Sequence, residues 1–259
     1  MSVRTSLPRL DRALVDRGYV ASRTRAQELI HSAQVRVNGT VTLRPASRVA
    51  PGDQLELPDT EWVGRGAGKL LAALEAFPVE VRGRRALDAG ASTGGFTQVL
   101  LRRGASHVDA VDVGHGQLAM ELRQDPRVNC VEGLNLRELT LHALGPEGSP
   151  PADLVVGDLS FISLTLVLPR LVQVLHPADL ILLVKPQFEV GRGRLAAGGV
   201  VTDPDLRRAA LRDVVDCARG LGYERAGCLD SPVVGRHGNR EFLLWIRPAT
   251  REDGRRLDG

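Results

Sequence analysis

Lysine is almost missing from this chain. Of 34 basic residues only Lys69 and Lys185 are lysine, and the rest are arginine. Cysteine is scarce as well. Cys130, Cys217 and Cys228 have no metal-ligand spacing and form no even set for a disulfide framework, which points to a reducing, cytoplasmic setting. Long apolar runs are absent. The best of them, Asp179-Leu-Ile-Leu-Leu-Val184, is the size of a strand, far short of the roughly 20 residues a membrane helix needs. Residues Met1 to Pro8 have no apolar centre and no cleavage pattern, so no signal peptide is read there. These absences exclude a helical membrane protein and a disulfide-stapled secreted domain, and no metal site is expected. With 43% of its 259 residues hydrophobic, the chain can bury one large core or two ordinary ones.

What charge there is lies unevenly. Residues 1–48 hold nine arginines against Asp11, Asp16 and Glu28, a net of +6. The whole chain carries only +3, which leaves −3 for the remainder. A basic head on a near-neutral body suggests a nucleic-acid handle attached to something else.

The two lysines stand out against that arginine background. Where positive charge alone is needed, arginine serves. A surviving lysine marks a place where an amine that can give up its proton is useful, because a guanidinium does not deprotonate in proteins.

Residues 1–60 read as one small unit. Leu10, Ala13 and Leu14 share a helical face, and Gly18 ends that helix. Ser22 is a good N-cap for a second helix over 23–33. Val35-Arg-Val37 runs as a strand into the turn Asn38-Gly39, and Gln54-Leu-Glu-Leu57 is a further strand. Residues 61–68, with three glycines and Arg65, read as a linker, and 251–259 as a polar tail. Between them, 69–250 alternate strands (85–88, 107–112, 128–131, 153–157, 180–185, 223–229, 241–247) with helices near 95–103, 116–124, 136–143, 163–175 and 205–220. Before residue 85, Lys69 to Phe77 read as a helix. This alternation predicts an α/β fold, a parallel sheet with helices on both faces.

Chemistry in such a sheet collects at the carboxyl ends of the strands. The first strand runs into Asp88-Ala-Gly-Ala-Ser-Thr-Gly-Gly-Phe96, a glycine turn with neither dinucleotide nor phosphate-loop spacing. The second strand ends on Asp112, an acid suited to the two hydroxyls of a ribose. The fourth ends on Asp158, the fifth on Lys185, and a late strand starts at Glu241. A lysine at the ligand edge of a sheet is costly unless it is used.

The N-terminal residues Arg9-Leu-Asp11, Ser22-Arg-Thr-Arg-Ala26 and Val35-Arg-Val-Asn-Gly39 resemble the S4 RNA-binding domain. That resemblance implies RNA contacts by Arg9, Arg23, Arg25 and Arg36. The glycine turn followed by a strand-end acid resembles the S-adenosylmethionine site of class I methyltransferases with a seven-stranded sheet. It implies cofactor contacts from Asp88, Gly90, Ala91, Ser92, Gly94, Gly95, Phe96, Asp112, Val113, Asn135 and Asp158. Lys69, Asp158, Lys185 and Glu241 are similar to the Lys–Asp–Lys–Glu set of FtsJ-like ribose 2′-O-methyltransferases. From about residue 5 to residue 247 the chain resembles the TlyA family, through Gly157-Asp-Leu-Ser-Phe-Ile-Ser-Leu164, Val184-Lys-Pro-Gln-Phe-Glu-Val-Gly191 and Gly238-Asn-Arg-Glu-Phe242. It departs at Gly64-Arg-Gly-Ala-Gly-Lys69, where the family usually has Ser-Arg-Gly-Gly before the lysine.

The resemblance implies methylation of cytidine 2′-hydroxyls in ribosomal RNA, with ribosomal subunits as partners and Lys185 as general base. Lys185 would then have to shed its proton near neutral pH, which burial and a nearby Lys69 cation favour and Asp158 and Glu241 oppose. Arg65, Arg192 and Arg194 would hold RNA phosphates, the last two on a loop over the site. Two other classes stay open. One is a non-catalytic ribosome-assembly factor, against which the intact set of four argues. The other is a haemolysin-like membrane-active protein, for which no inserting segment is visible.

Overall fold

The computed structural model describes residues 7–20, 22–31, 34–57, 62–64, 66–196, 198–233, 235 and 238–249. The chain divides into two compact units, Met1–Glu61 and Trp62–Gly259.

In the first unit, α1 (Leu10–Asp16) and α2 (Arg23–His31) accompany a small antiparallel sheet. Its strands are β1 (Arg36–Val37), β2 (Thr40–Val41) and β3 (Leu55–Glu56), in the order β2-β1-β3. Leu10, Leu14, Ala26, Ile30, Val35 and Val49 form its core, each fully buried. The helical spacing of Leu10 and Leu14, and of Ala26 and Ile30, puts each pair on one face.

The second unit opens with α3 (Ala67–Ala76). Then follow β4 (Arg85–Ala89), α4 (Gly95–Arg102), β5 (His107–Asp112), α5 (Met120–Arg123), β6 (Val128–Glu132) and β7 (Leu154–Gly157). The chain continues through α6 (Leu164–Leu175), β8 (Asp179–Val184), α7 (Pro186–Glu189), α8 (Pro204–Gly220), β9 (Tyr223–Asp230) and β10 (Phe242–Pro248). One seven-stranded sheet results, in the order β6-β5-β4-β7-β8-β10-β9.

Both faces of this sheet are covered, so its inner strands read as continuous apolar runs rather than alternating ones. Along β8, Leu180, Leu182 and Val184 pack with Val167, Leu168 and Leu171 of α6. Ile181 and Leu183, pointing the other way, join Leu70 of α3 and Val99 of α4. Pro169 lies inside α6 and cannot donate to the carbonyl one turn back. That carbonyl, of Thr165, accepts the Cys217 thiol of α8 at 3.7 Å.

Three expectations need correction. The sheet is mixed rather than parallel, because β10 pairs antiparallel with both β8 and β9. The helix expected at 136–143 is two 3-10 turns, Leu136–Glu138 and Leu141–Leu144, since Asn135 and Thr140 each accept a backbone N–H and restart the chain. The helix expected at 116–124 shrinks to α5, because Gly116 sits at φ 65° and breaks its first half.

The second unit also begins inside the expected linker. The Val63 amide donates to Gln98 Oε1 at 2.7 Å, and the Arg102 guanidinium lies 4.4 Å from the Trp62 ring. The expected tail, 251–259, lies outside the described residues.

Candidate active site

Strand order reverses between β4 and β7, and open α/β sheets place ligands in the crevice at that switch, beyond the carboxyl ends. Asp158 follows β7 and Lys185 follows β8, so parallel pairing puts both at that edge. Lys69 enters from the first turn of α3. Glu241 arrives because β10 runs backwards: Phe242 pairs with Val184, which sets the residue before β10 beside the residue after β8. The correction to the sheet is therefore what completes the site.

The four charged residues touch. Lys69 Nζ lies 3.1 Å from Asp158 Oδ2 and 3.0 Å from Glu241 Oε2. Lys185 Nζ lies 2.6 Å from Asp158 Oδ1. One carboxylate thus bridges both lysines. Lys69, Lys185 and Glu241 are buried, at 8%, 7% and 3% exposure. Burial works to raise the Asp158 carboxyl, but the Lys185 and Lys69 charges and their hydrogen bonds outweigh it and hold it below the usual carboxylate range.

Two further contacts were not anticipated from the sequence. Lys185 Nζ donates to Ser160 Oγ at 2.8 Å, and Gln187 Nε2 donates to Glu241 Oε1 at 3.3 Å. Both residues sit two positions beyond a charged member of the set, and that proximity was the only signal available.

Beside this cluster lies the glycine turn. Gly90 has φ 81°, and a Cβ there would stand 3.2 Å from the Asp158 carbonyl oxygen, so any larger residue would be strained and would press on the chain just after β7. Gly94 at φ 95° starts α4 in the left-handed region. Asp112 accepts the Ser92 amide at 2.8 Å and the Gly114 amide at 2.7 Å, one on each oxygen, and each oxygen keeps a lone pair. Val113 beside it is 69% exposed, an apolar surface next to an acid. Asn135 accepts the Arg137 amide at 3.1 Å, which gives it a capping task in the 3-10 turn.

Asp88 is fully buried and accepts the Thr97 hydroxyl at 2.7 Å, while its Oδ1 has no partner. Burial, with the negative charges of Asp158 and Asp112 adding to it and the Thr97 hydrogen bonds opposing, pushes its carboxyl up to about 7. The unfolded chain releases that proton near pH ~3.9. Between the two values the folded state binds more protons, so stability falls as pH rises through this window. Asp88→Asn should remove that dependence. Urea denaturation from pH 4 to 7 should show the variant gaining on the wild type as pH rises. A constant difference would mean Asp88 ionises normally.

In the first unit, Asp11 is fully buried and gathers Arg9 (Nε–Oδ1 3.0 Å), Arg23 (Nη2–Oδ2 2.9 Å) and Gln27 (Nε2–Oδ2 2.9 Å). It aligns Arg9 and Arg23 while leaving their side chains about half exposed (42% and 57%). Arg36 donates to the Gly39 carbonyl at 3.0 Å. Arg194 is exposed on a 3-10 turn. Arg65 and the side chains of Arg25 and Arg192 lie outside the described residues.

Among the described residues no group of three or more His, Cys, Asp or Glu is arranged to hold a metal ion, and no helix is long and apolar enough to cross a membrane.

The chain resembles known proteins over most of its length. The FtsJ-like methyltransferase profile matches residues 62–247, and the S4 domain profile matches 8–55. The chain is 52% identical over 246 residues to the 16S/23S rRNA (cytidine-2′-O)-methyltransferase TlyA of Mycobacterium tuberculosis, covering 93% of this chain and 90% of that one. It is 36% identical to hemolysin A of Brachyspira hyodysenteriae, covering 91% and 98%. A solved structure of a candidate hemolysin from Streptococcus thermophilus superposes with TM-score 0.75 at 35% identity, covering 94% and 89%.

Proposed function

The chain belongs to the FtsJ-like methyltransferase family and carries an S4 domain, and from that premise we propose that it is an S-adenosylmethionine-dependent ribose 2′-O-methyltransferase acting on cytidine in ribosomal RNA. The observation that supports this most directly is the buried Lys69–Asp158–Lys185–Glu241 cluster at the switch edge of the sheet. A cytoplasmic setting and ribosomal subunits as partners belong to the same reading. So do the domain roles, with residues 1–60 holding RNA and 69–250 carrying the chemistry.

The residues present fit the cofactor. Asp112 has free lone pairs for a ribose diol, and Val113 offers an apolar face to a base. Asp88 keeps an unpartnered oxygen, and Gly90, Ala91, Ser92, Gly94, Gly95 and Phe96 form the turn that the cofactor would lie against. When bound, S-adenosylmethionine supplies an activated methyl on a sulfonium. The protein's own part is then orientation and removal of one proton. In this reading Lys185 takes the 2′-hydroxyl proton. Asp158 holds the amine, and Lys69, tied to Asp158 and Glu241, fixes Asp158 in turn. Arg9, Arg23, Arg25, Arg36, Arg65, Arg192 and Arg194 would supply phosphate contacts, which position RNA without reading its sequence.

Asp112→Ala should weaken cofactor binding about tenfold or more, since hydrogen bonds to a charged acceptor are worth ~1.5–3 kcal/mol. Calorimetric titration checks this, and unchanged affinity would remove Asp112 from the site. The function itself is tested by mixing purified protein, ribosomal subunits and methyl-labelled cofactor. Label in RNA supports the reading. Lysis of red cells by the same protein without cofactor, and no label in RNA, would favour the membrane-active reading that the hemolysin names suggest.

A further inference from the structure

Lys185 touches a neutral side chain as well as its carboxylate partner. Its Nζ donates to Ser160 Oγ at 2.8 Å. Ser160 is exposed and lies on the turn between Asp158 and the start of α6.

That turn is held in place. Phe161, 87% exposed, has φ 67°, the left-handed region that is uncommon for a bulky residue. The turn is held from the segment that carries Lys185. Glu189 of α7 accepts the Ser163 hydroxyl at 2.5 Å and the Leu164 amide at 2.9 Å, and the Phe161 and Phe188 rings pack 5.3 Å apart. The turn is therefore bonded at its far end to residues 188–189, and Ser160 bonds back to residue 185. This places Ser160 against the amine by construction of the loop pair rather than by a chance surface contact.

The consequence follows from amine geometry. In the resting ion pair Lys185 is an ammonium; to act as a base it first releases one proton, and the amine that remains has two N–H bonds, one lone pair and free rotation about its last C–N bond. The ion pair with Asp158, 2.6 Å away, holds the nitrogen in place but is not a directed hydrogen bond, so by itself it leaves the lone pair free to turn. The bond to Ser160 is directed and fixes one N–H, while the carboxylate attracts the other. We propose that Ser160 is a positioning residue for the methyl transfer, turning the Lys185 lone pair towards the substrate hydroxyl. This rests on the function proposed above. As the lone pair takes the 2′-hydroxyl proton, the ammonium that forms keeps the same two partners, and the new N–H occupies the third direction. The hydroxyl oxygen's electrons go to the methyl carbon, and the bond to sulfur breaks with its pair left on sulfur. No side chain has to reorganise, which is what a preorganised site provides.

The test compares wild type, Ser160→Ala and Ser160→Thr in steady-state methylation of ribosomal subunits. Misaimed reacting groups cost up to about 10²-fold. Ser160→Ala should lower kcat roughly 10- to 100-fold with KM for subunits unchanged. Ser160→Thr restores the hydroxyl acceptor and should recover kcat to within about threefold of wild type, by the same geometry. Cofactor affinity and melting temperature should stay at wild-type values in both, because Ser160 is exposed. Wild-type kcat in Ser160→Ala overturns the proposal. So does an equal loss in both variants, a loss confined to KM, or one that follows a lowered melting temperature. An inactive wild type in the same assay would instead sink the methyltransferase reading.

Discussion

Lys185→Arg should lower single-turnover methyl transfer by ~10²–10⁴-fold, the usual contribution of a placed base, while cofactor affinity stays within a few-fold. The substitution keeps the positive charge opposite Asp158, 2.6 Å away in the wild type. It removes only the capacity to exist as a neutral acceptor, since a guanidinium does not release its proton in proteins. A purely electrostatic role would survive it. Arg102 on α4 is the control: it is already a cation over the Trp62 ring, so Arg102→Lys keeps the charge and should leave transfer near wild type. If Lys185→Arg retains more than a tenth of the wild-type rate, Lys185 positions substrate by charge and the general-base assignment is wrong.

Asp158→Asn should be the most destabilising change at the site. One carboxylate faces two ammonium groups here, and only Glu241 would remain to balance them. Removing one partner of a buried ion pair typically costs ~3–5 kcal/mol. Transfer should fall by at least the Lys185→Arg factor, because the amine loses its main anchor. The pH dependence carries the signature. Burial pushes the Asp158 carboxyl up, yet the two lysines win and hold it below the normal range. A carboxylate held low stabilises the fold above its unfolded value of ~3.9 and loses that contribution as pH falls through the folded value. Urea denaturation should therefore show the full deficit at neutral pH and a shrinking one below about pH 4. A deficit that is the same at both ends would mean the ion pairs contribute nothing and the loss comes from packing alone.

Much of the charged cluster was legible because the chain uses lysine so sparingly. In an arginine background, Lys69 and Lys185 stand out by composition alone, and Asp158 and Glu241 mark the strand ends that meet them. The strands were legible from their apolar content: β7 and β8 are unbroken apolar runs bounded by Asp153 and Asp179. Pairing direction was not legible. Nothing within Phe242–Pro248 says which way β10 runs, because a strand's own pattern is the same in either sense, and it is the antiparallel register with β8 that delivers Glu241. The bond between Lys185 and Ser160 was hidden for another reason. It joins residues 25 apart through a turn whose shape depends on Glu189, and no local spacing encodes that.

The proposed reaction puts a methyl group on a ribose oxygen of cytidine in ribosomal RNA, and in it Lys185 takes the proton. The most direct measurement is mass spectrometry of nuclease-digested RNA after reaction of ribosomal subunits with the purified protein and isotopically labelled S-adenosylmethionine. Wild-type protein should put the label on the ribose of cytidine, and Lys185→Arg should leave it nearly absent. Label on a base, or equal ribose label from both proteins, would contradict the proposed reaction.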